Sequence, residues 1–139
     1  FYVNDAGRQV DLLAESLEAR VRELLELEGR IPEGGYPGEY LVDLARDLVR
    51  DKGEAVLDEA GLHEFLREYA VSSIRTWHER TLKRYGVNFD VWFSEKSLHS
   101  SGAVAEALSI LESRGYAYRS DGALWLRTST LGMKRTEFW

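Results

Sequence analysis

Phe89-Asp90-Val91-Trp92-Phe93-Ser94-Glu95 is the stretch on which the reading of this chain turns. Phe89, Val91 and Phe93 alternate with Asp90, Trp92 and Ser94, a period of two that predicts a strand with one buried face. Upstream, residues 62–85 return to helical spacing, with Phe65 or Leu66, Tyr69, Ile74, Trp77 and Leu82 on one side and Gly86 as the stop. Arg67, Arg75, Arg80, Lys83 and Arg84 fall on the other side, which could touch phosphate but reads first as a solvated face with pairs such as Glu79 and Lys83. Downstream, Ser100 or Ser101 can cap a helix whose stripe is Val104, Ala107 or Leu108, and Leu111, ended by Gly115. Residues 116–118 and 124–126 then read as a hairpin, because Asp121-Gly122 suits a type I′ turn with positive φ at both central residues.

Toward the other end, Tyr2 and Val3 form a short strand, and Asn4 or Asp5 can cap the helix that follows. Val10, Leu13, Leu17, Val21 and Leu24 make its buried stripe, and Gly29 is the expected stop. Residues 30–38 hold both prolines, Pro32 and Pro37, with Gly34, Gly35 and Gly38, so they must be irregular. Tyr36 and Tyr40 either pack on each other or face a ligand. The next helix turns Tyr40, Leu41, Leu44, Leu48 and Val49 inward as far as Gly53, and residues 54–61 are a short helix or a mobile link.

The 139 residues suit one domain with a single core. The absence of cysteine excludes disulfides, thiolate metal sites and cysteine nucleophiles, with a cytoplasmic location as the default. No apolar run approaches the ~20 residues of a membrane span, so a soluble protein without a membrane partner is expected. The chain starts at Phe1 and runs straight into an apolar strand, which reads as a piece of something longer. Residues 1–60 carry 7 Lys and Arg against 15 Asp and Glu, whereas 61–139 carry 11 against 9. Any surface for a phosphate backbone therefore belongs to the second part.

Chemistry-bearing patterns are sparse. His63, His78 and His99 are scattered without ligand spacing, Gly34-Gly35 lacks the lysine of a phosphate loop, and no serine sits in a Gly-x-Ser-x-Gly elbow. The residues predict no catalytic group, no metal site and no complete active site.

Four stretches carry more. Residues 2–7 (Tyr-Val-Asn-Asp-Ala-Gly), 35–40 (Gly-Tyr-Pro-Gly-Glu-Tyr), 89–95 with Ser97-Leu98, and 122–128 (Gly-Ala-Leu-Trp-Leu-Arg-Thr) resemble, in order and at similar spacing, the middle of bacterial arginyl-tRNA synthetases. That family is class I, with an ATP-binding core interrupted by insertions, and joins arginine to its tRNA with ATP and magnesium. The resemblance implies an α+β (partial α/β) fold, mostly helical, with a short parallel strand pair from a Rossmann-type core and a C-terminal helix plus hairpin. Residues 1–7 and 86–95 would be core strands, 8–85 a helical insertion and crossover helix, 96–130 a second insertion, and 131–139 an unassigned tail.

The resemblance also implies what the chain lacks. The family's two nucleotide signatures and its arginine-reading residues lie outside the matched region, so the polypeptide is expected to be inactive alone and to bind no ATP by itself. Asn4, Asp5 and Gly7 would lie near the substrate pocket, and Lys96, Arg114, Arg119 and Arg127 are candidates for contact with the tRNA acceptor end. The remainder of the synthetase core is the expected partner, with a non-native homodimer through uncovered apolar surface as a further expectation. A rival reading takes the C-terminal helix and hairpin as a winged-helix-like nucleic-acid-binding or protein-interaction module.

Overall fold

A computed structural model describes residues 1–132 and 137–138, and the chain divides into two compact units, Phe1–Phe93 and Ser94–Trp139. In the first unit, β1 (Tyr2–Val3) precedes α1 (Arg8–Leu24), α2 (Glu39–Lys52), a short 3-10 helix (Gly53–Asp58) and α3 (Leu62–Arg84). Strand β2 (Phe93–Ser94) spans the boundary and pairs with β1. The Phe1 nitrogen donates to the Val91 carbonyl at 2.7 Å, and the Phe93 N–H donates to the Phe1 carbonyl at 2.8 Å. Two bonds from one residue that straddle Trp92 are the ladder of a parallel pair.

The core of this unit is where α1 meets α2 and α3. Leu17, Val21, Leu41, Val56, Leu66 and Ala70 are fully enclosed, with Leu44 and Leu48 beside them. The predicted stripe of α1 holds for Val10, Leu17 and Val21, but Leu12, Ala14 and Ala19 are buried as well and Leu24 is exposed. A helix flanked by two others needs more than one apolar stripe, and short residues at Ala14 and Ala19 admit the second neighbour.

Several boundaries differ from expectation for identifiable reasons. Gly7, with φ 86°, caps α1 in place of Asn4 or Asp5, and its carbonyl accepts from the Val10 N–H at 3.1 Å. The helix ends at Leu24 in a Schellman closure, with Glu26 at φ 60° and the Leu27 N–H donating to the Arg22 carbonyl at 2.9 Å. Gly29 serves close packing instead, since a Cβ there would lie 2.2 Å from the Ala19 carbonyl oxygen. Arg67 leaves the expected solvated face: its side chain is 18 % exposed, 3.7 Å from Asp11 and 3.5 Å from Glu64, and donates to the Asp5 carbonyl. Glu79 and Lys83 do pair, at 3.0 Å.

The strand at residues 89–95 is the larger correction. Only Phe93 and Ser94 are strand, and Phe89, Val91 and Phe93, the expected buried set, are 42 %, 63 % and 40 % exposed. Trp92 is the more sheltered residue, with its ring 4.6 Å from that of Phe1. Among the described residues β2 has β1 as its one strand neighbour, so little covers the alternating apolar side chains.

The second unit contains α4 (Glu95–Ser100), α5 (Ala103–Ser113), β3 (Ala117–Ser120), β4 (Ala123–Leu126), a 3-10 turn (Thr128–Leu131) and β5 (Glu137–Phe138). Helix α4 was absent from the sequence reading, and Gly102, not Ser100 or Ser101, caps α5. The stripe of α5 runs through Leu108, while Ala107 is exposed. The expected hairpin is present with a tighter turn: β3 starts at Ala117 instead of Tyr116 and runs on to Ser120, β4 starts at Ala123, and Asp121 and Gly122 have φ 52° and 78°, the type I′ pattern. Strand β5 pairs antiparallel with β4 within the stretch left unassigned, whose residues 133–136 and 139 lie outside the described ones. The fold is mostly helical α+β. Among the described residues no helix is long and apolar enough to cross a membrane.

Candidate functional site

In the first unit, the exit of β1, the start of α1, the Pro- and Gly-rich loop and the second half of α3 surround a cleft of about 720 Å³. Its floor is apolar, from Val10, Leu13, Ile74 and Trp77, and its polar groups come from Asn4, Gln9, Tyr36, Tyr40, Arg75 and His78. The loop is held in place by Ser16. This buried hydroxyl donates to the Leu12 carbonyl at 2.6 Å and accepts from the Tyr36 N–H at 2.9 Å. Gly35 makes the approach feasible, because a Cβ there would sit 2.6 Å from Ser16 Oγ. Arg20 adds a bond to the Pro37 carbonyl at 3.0 Å.

Tyr36 and Tyr40, the pair the sequence left open, both line the cleft. Tyr36 packs against the core and its hydroxyl donates to Gln9 Oε1 at 2.9 Å. Tyr40 sits in the first turn of α2, and burial, with a smaller contribution from Tyr36, pushes its hydroxyl above the ordinary tyrosine range. Burial likewise raises Tyr69, followed by the nearby charge of Asp47. The cleft thus offers amide, phenol, guanidinium and imidazole donors over aromatic faces: equipment for orienting a polar or anionic group.

Of the predicted pocket residues, Asn4 lines the cleft. Asp5 and Gly7 do not: Asp5 joins the turn after β1 through its N–H and carbonyl, and Gly7 is the cap of α1. Gln9 and His78, which also line the cleft, are not among the sequence's candidates, and Arg75 is there only as a possible phosphate contact. The i,i+3 spacing of Arg75 and His78, interleaved with Ile74 and Trp77, was the available signal, but it reads equally as a solvated helix face.

The four candidate basic residues all fall in the second unit. Lys96 is half-buried on α4, and Arg114 is exposed at the end of α5 with no partner among the described residues. Arg119 is paired with Glu112 at 2.9 Å. Arg127 donates to the Gly115 carbonyl at 3.3 Å and lies 4.8 Å from the centroid of the Tyr118 ring. Among the described residues no group of three or more His, Asp or Glu side chains stands together as a metal site.

Fold and cleft together define a helical α+β segment that can bind and position but carries no assembled catalytic constellation among its described residues. No family model matches it. Curated relatives do: it is 48 % identical over 130 residues to an arginine–tRNA ligase of Thermotoga maritima, across 92 % of this chain and 24 % of that protein. It is 43 % identical over 139 residues to that of Heliobacterium modesticaldum, across 99 % of this chain and 25 % of the relative. A crystal structure from Campylobacter jejuni, described as a "putative arginyl t-RNA synthetase", superposes with a TM-score of 0.82 at 29 % identity, across 99 % of this chain and 30 % of that one. Over 92–99 % of its length the chain is thus homologous to arginine–tRNA ligases, and it spans about a quarter of the length of these relatives. The winged-helix alternative finds no support, and α5, whose charged residues are Glu106 and Glu112, has no cation to offer a DNA groove.

Proposed function

We propose that the chain is an internal region of an arginine–tRNA ligase, the ATP-dependent enzyme that joins L-arginine to its tRNA, and that it supplies scaffold and substrate-positioning surface to that enzyme. The ordered homology across 92–99 % of the chain is the observation that carries this reading. In it, residues 1–7 and 86–95 are strands of a Rossmann-type core, 8–85 a helical insertion with its crossover helix, and 96–130 a second insertion. The parallel bonding around Trp92 is what such a pair requires. The rest of the core is then the cover for Phe89, Val91 and Phe93, whose exposure also favours homodimers when the segment stands alone.

The residues present do not make a site for ATP and magnesium. The sequence has no glycine-rich phosphate loop, and the described acidic side chains form no ligand cluster. Positioning and charge stabilisation dominate catalysis of nucleotidyl transfer, so a segment without those donors is inactive alone. Its own contribution would be the cleft around Asn4, with Asp5 and Gly7 shaping the turn beside it, and the basic residues Lys96, Arg114 and Arg127 toward the acceptor end of tRNA, in the cytoplasm; Arg119, already paired with Glu112, is not free for that contact. Arginine-dependent ATP–pyrophosphate exchange measured on the 139-residue chain and on the longer reading frame that contains it tests the reading. Activity confined to the longer protein is expected; activity in the isolated chain would overturn it.

A further inference from the structure

The two faces of the hairpin differ. The register sets Tyr118 directly opposite Trp125 and Ala117 opposite Leu126, so alternation places Tyr116, Tyr118, Trp125 and Arg127 on one face and Ala117, Arg119, Leu124 and Leu126 on the other. The second face packs on α5: Ala117 is buried, and Arg119 reaches back to Glu112 on that helix through two bonds. The first face is aromatic and cationic. Tyr116 is 40 % exposed, and the exposed Arg127 guanidinium is stacked on Tyr118 and anchored by the Gly115 carbonyl. Its backbone N–H donates to the Tyr116 carbonyl at 2.7 Å, which extends the ladder and fixes the arginine's place on the face. Arg114, exposed and unpaired among the described residues, flanks the same Gly115.

We propose that this outer face is a stacking platform for unpaired nucleotides of an RNA strand, with Tyr118 and Tyr116 offering ring faces to bases and Arg127 and Arg114 meeting the phosphates. A protein surface of this kind could be purely apolar; here the guanidinium already lies over a ring, 4.8 Å from its centroid, a position from which it can flank a base stack and still reach a phosphate. Arg119, which points to the other face and is neutralised by Glu112, is excluded from the platform. That separates it from Arg114 and Arg127. The choice of RNA as the strand rests on the arginine–tRNA ligase reading; the stacking geometry does not.

The test is fluorescence anisotropy of the 139-residue chain with a labelled eight-nucleotide single-stranded RNA, beside a blunt RNA hairpin and the DNA strand of the same sequence. The single strand is expected to bind in preference to the blunt hairpin. Tyr118→Leu should weaken binding about tenfold or more while Tyr118→Phe retains it, since stacking depends on the ring and not the hydroxyl. Arg127→Met should weaken it severalfold and flatten the salt dependence, and Arg119→Met should leave it unchanged. Far-UV circular dichroism checks that Tyr118→Leu is folded; if it is not, the Arg127 and Arg119 pair decides. Equal binding by the blunt hairpin, indifference to both Tyr118→Leu and Arg127→Met, or no RNA binding would overturn the platform. Binding of DNA as tight as RNA, with the variant pattern intact, keeps the platform and removes RNA as its ligand. Failure of the longer reading frame to activate arginine would sink the ligase reading while leaving these results standing.

Discussion

Helices α1 and α5 reverse what composition suggests. Helix α5 (Ala103–Ser113) has two charged residues in eleven and buries none of its side chains, whereas α1 (Arg8–Leu24) alternates apolar residues with acids and arginines and buries seven. The difference is in their neighbours. Helix α1 is packed by both α2 and α3, so even its intervening alanines and Ser16 are enclosed; α5 meets α4 and the hairpin in its unit. Burial is decided by how many elements surround a helix, and hydrophobicity only permits it.

The sharpest way to break that contrast is to cut equivalent leucines. Leu17→Ala, at a fully enclosed site, should cost about 2–5 kcal/mol, whereas Leu111→Ala on α5 should cost about 1 kcal/mol or less, because its site is already half open. Urea unfolding of the two variants measures this. Equal losses would mean that the two helices share one cooperative core.

Gly29→Ala should follow. The added methyl would meet the Ala19 carbonyl oxygen, which belongs to the backbone of α1 and cannot swing aside, so about 1–3 kcal/mol is expected. The same substitution at Gly122 should cost about 1 kcal/mol through its left-handed φ of 78° alone, since nothing lies within 4 Å of the new methyl. Thermal melts of the pair separate close packing from backbone strain, and a larger loss at Gly122 would reverse the assignment.

Ser16→Ala sharpens the comparison from within α1. Its hydroxyl bridges the Leu12 carbonyl and the Tyr36 N–H, so removal orphans an amide at the rim of the cleft and should cost about 1–2 kcal/mol. Hydrogen exchange at Tyr36 should accelerate while the amides of α2 stay protected. An unchanged Tyr36 amide would show that the loop is held by Arg20 and its own turns.

How much of this was legible follows from range. Helical periods, the Asp121-Gly122 turn and the four ordered stretches are local in sequence, and they yielded the helices, the hairpin and the family. Arg67 was misplaced because its partners, Asp5 and Asp11, lie more than fifty positions away, and no spacing on α3 encodes them. Phe89, Val91 and Phe93 alternate as a covered strand would, yet alternation does not encode what lies beside them, and among the described residues β1 is the one strand neighbour. At the cleft, Asn4 lies in one of the four local stretches, while bringing Gln9, Arg75 and His78 beside it requires the fold to join α1, the loop and α3.

The smallest expected effect concerns Tyr40, where burial and the neighbouring Tyr36 hold the hydroxyl above its ordinary value. A raised value means that the folded protein keeps a proton the unfolded chain has lost. The stabilisation is therefore complete below the unfolded tyrosine range near pH 10 and disappears as pH climbs through the folded value. The wild-type chain should lose more stability than Tyr40→Phe between neutral and strongly alkaline solution, by a fraction of a kcal/mol, because the side chain is partly exposed. Absorbance at the phenolate band should show one late-titrating tyrosine fewer in the variant. If a ligand fills the cleft, burial deepens and the wild-type titration should move later still, a shift that Tyr40→Phe cannot show; a wild-type curve that the ligand leaves unmoved would place the ligand elsewhere.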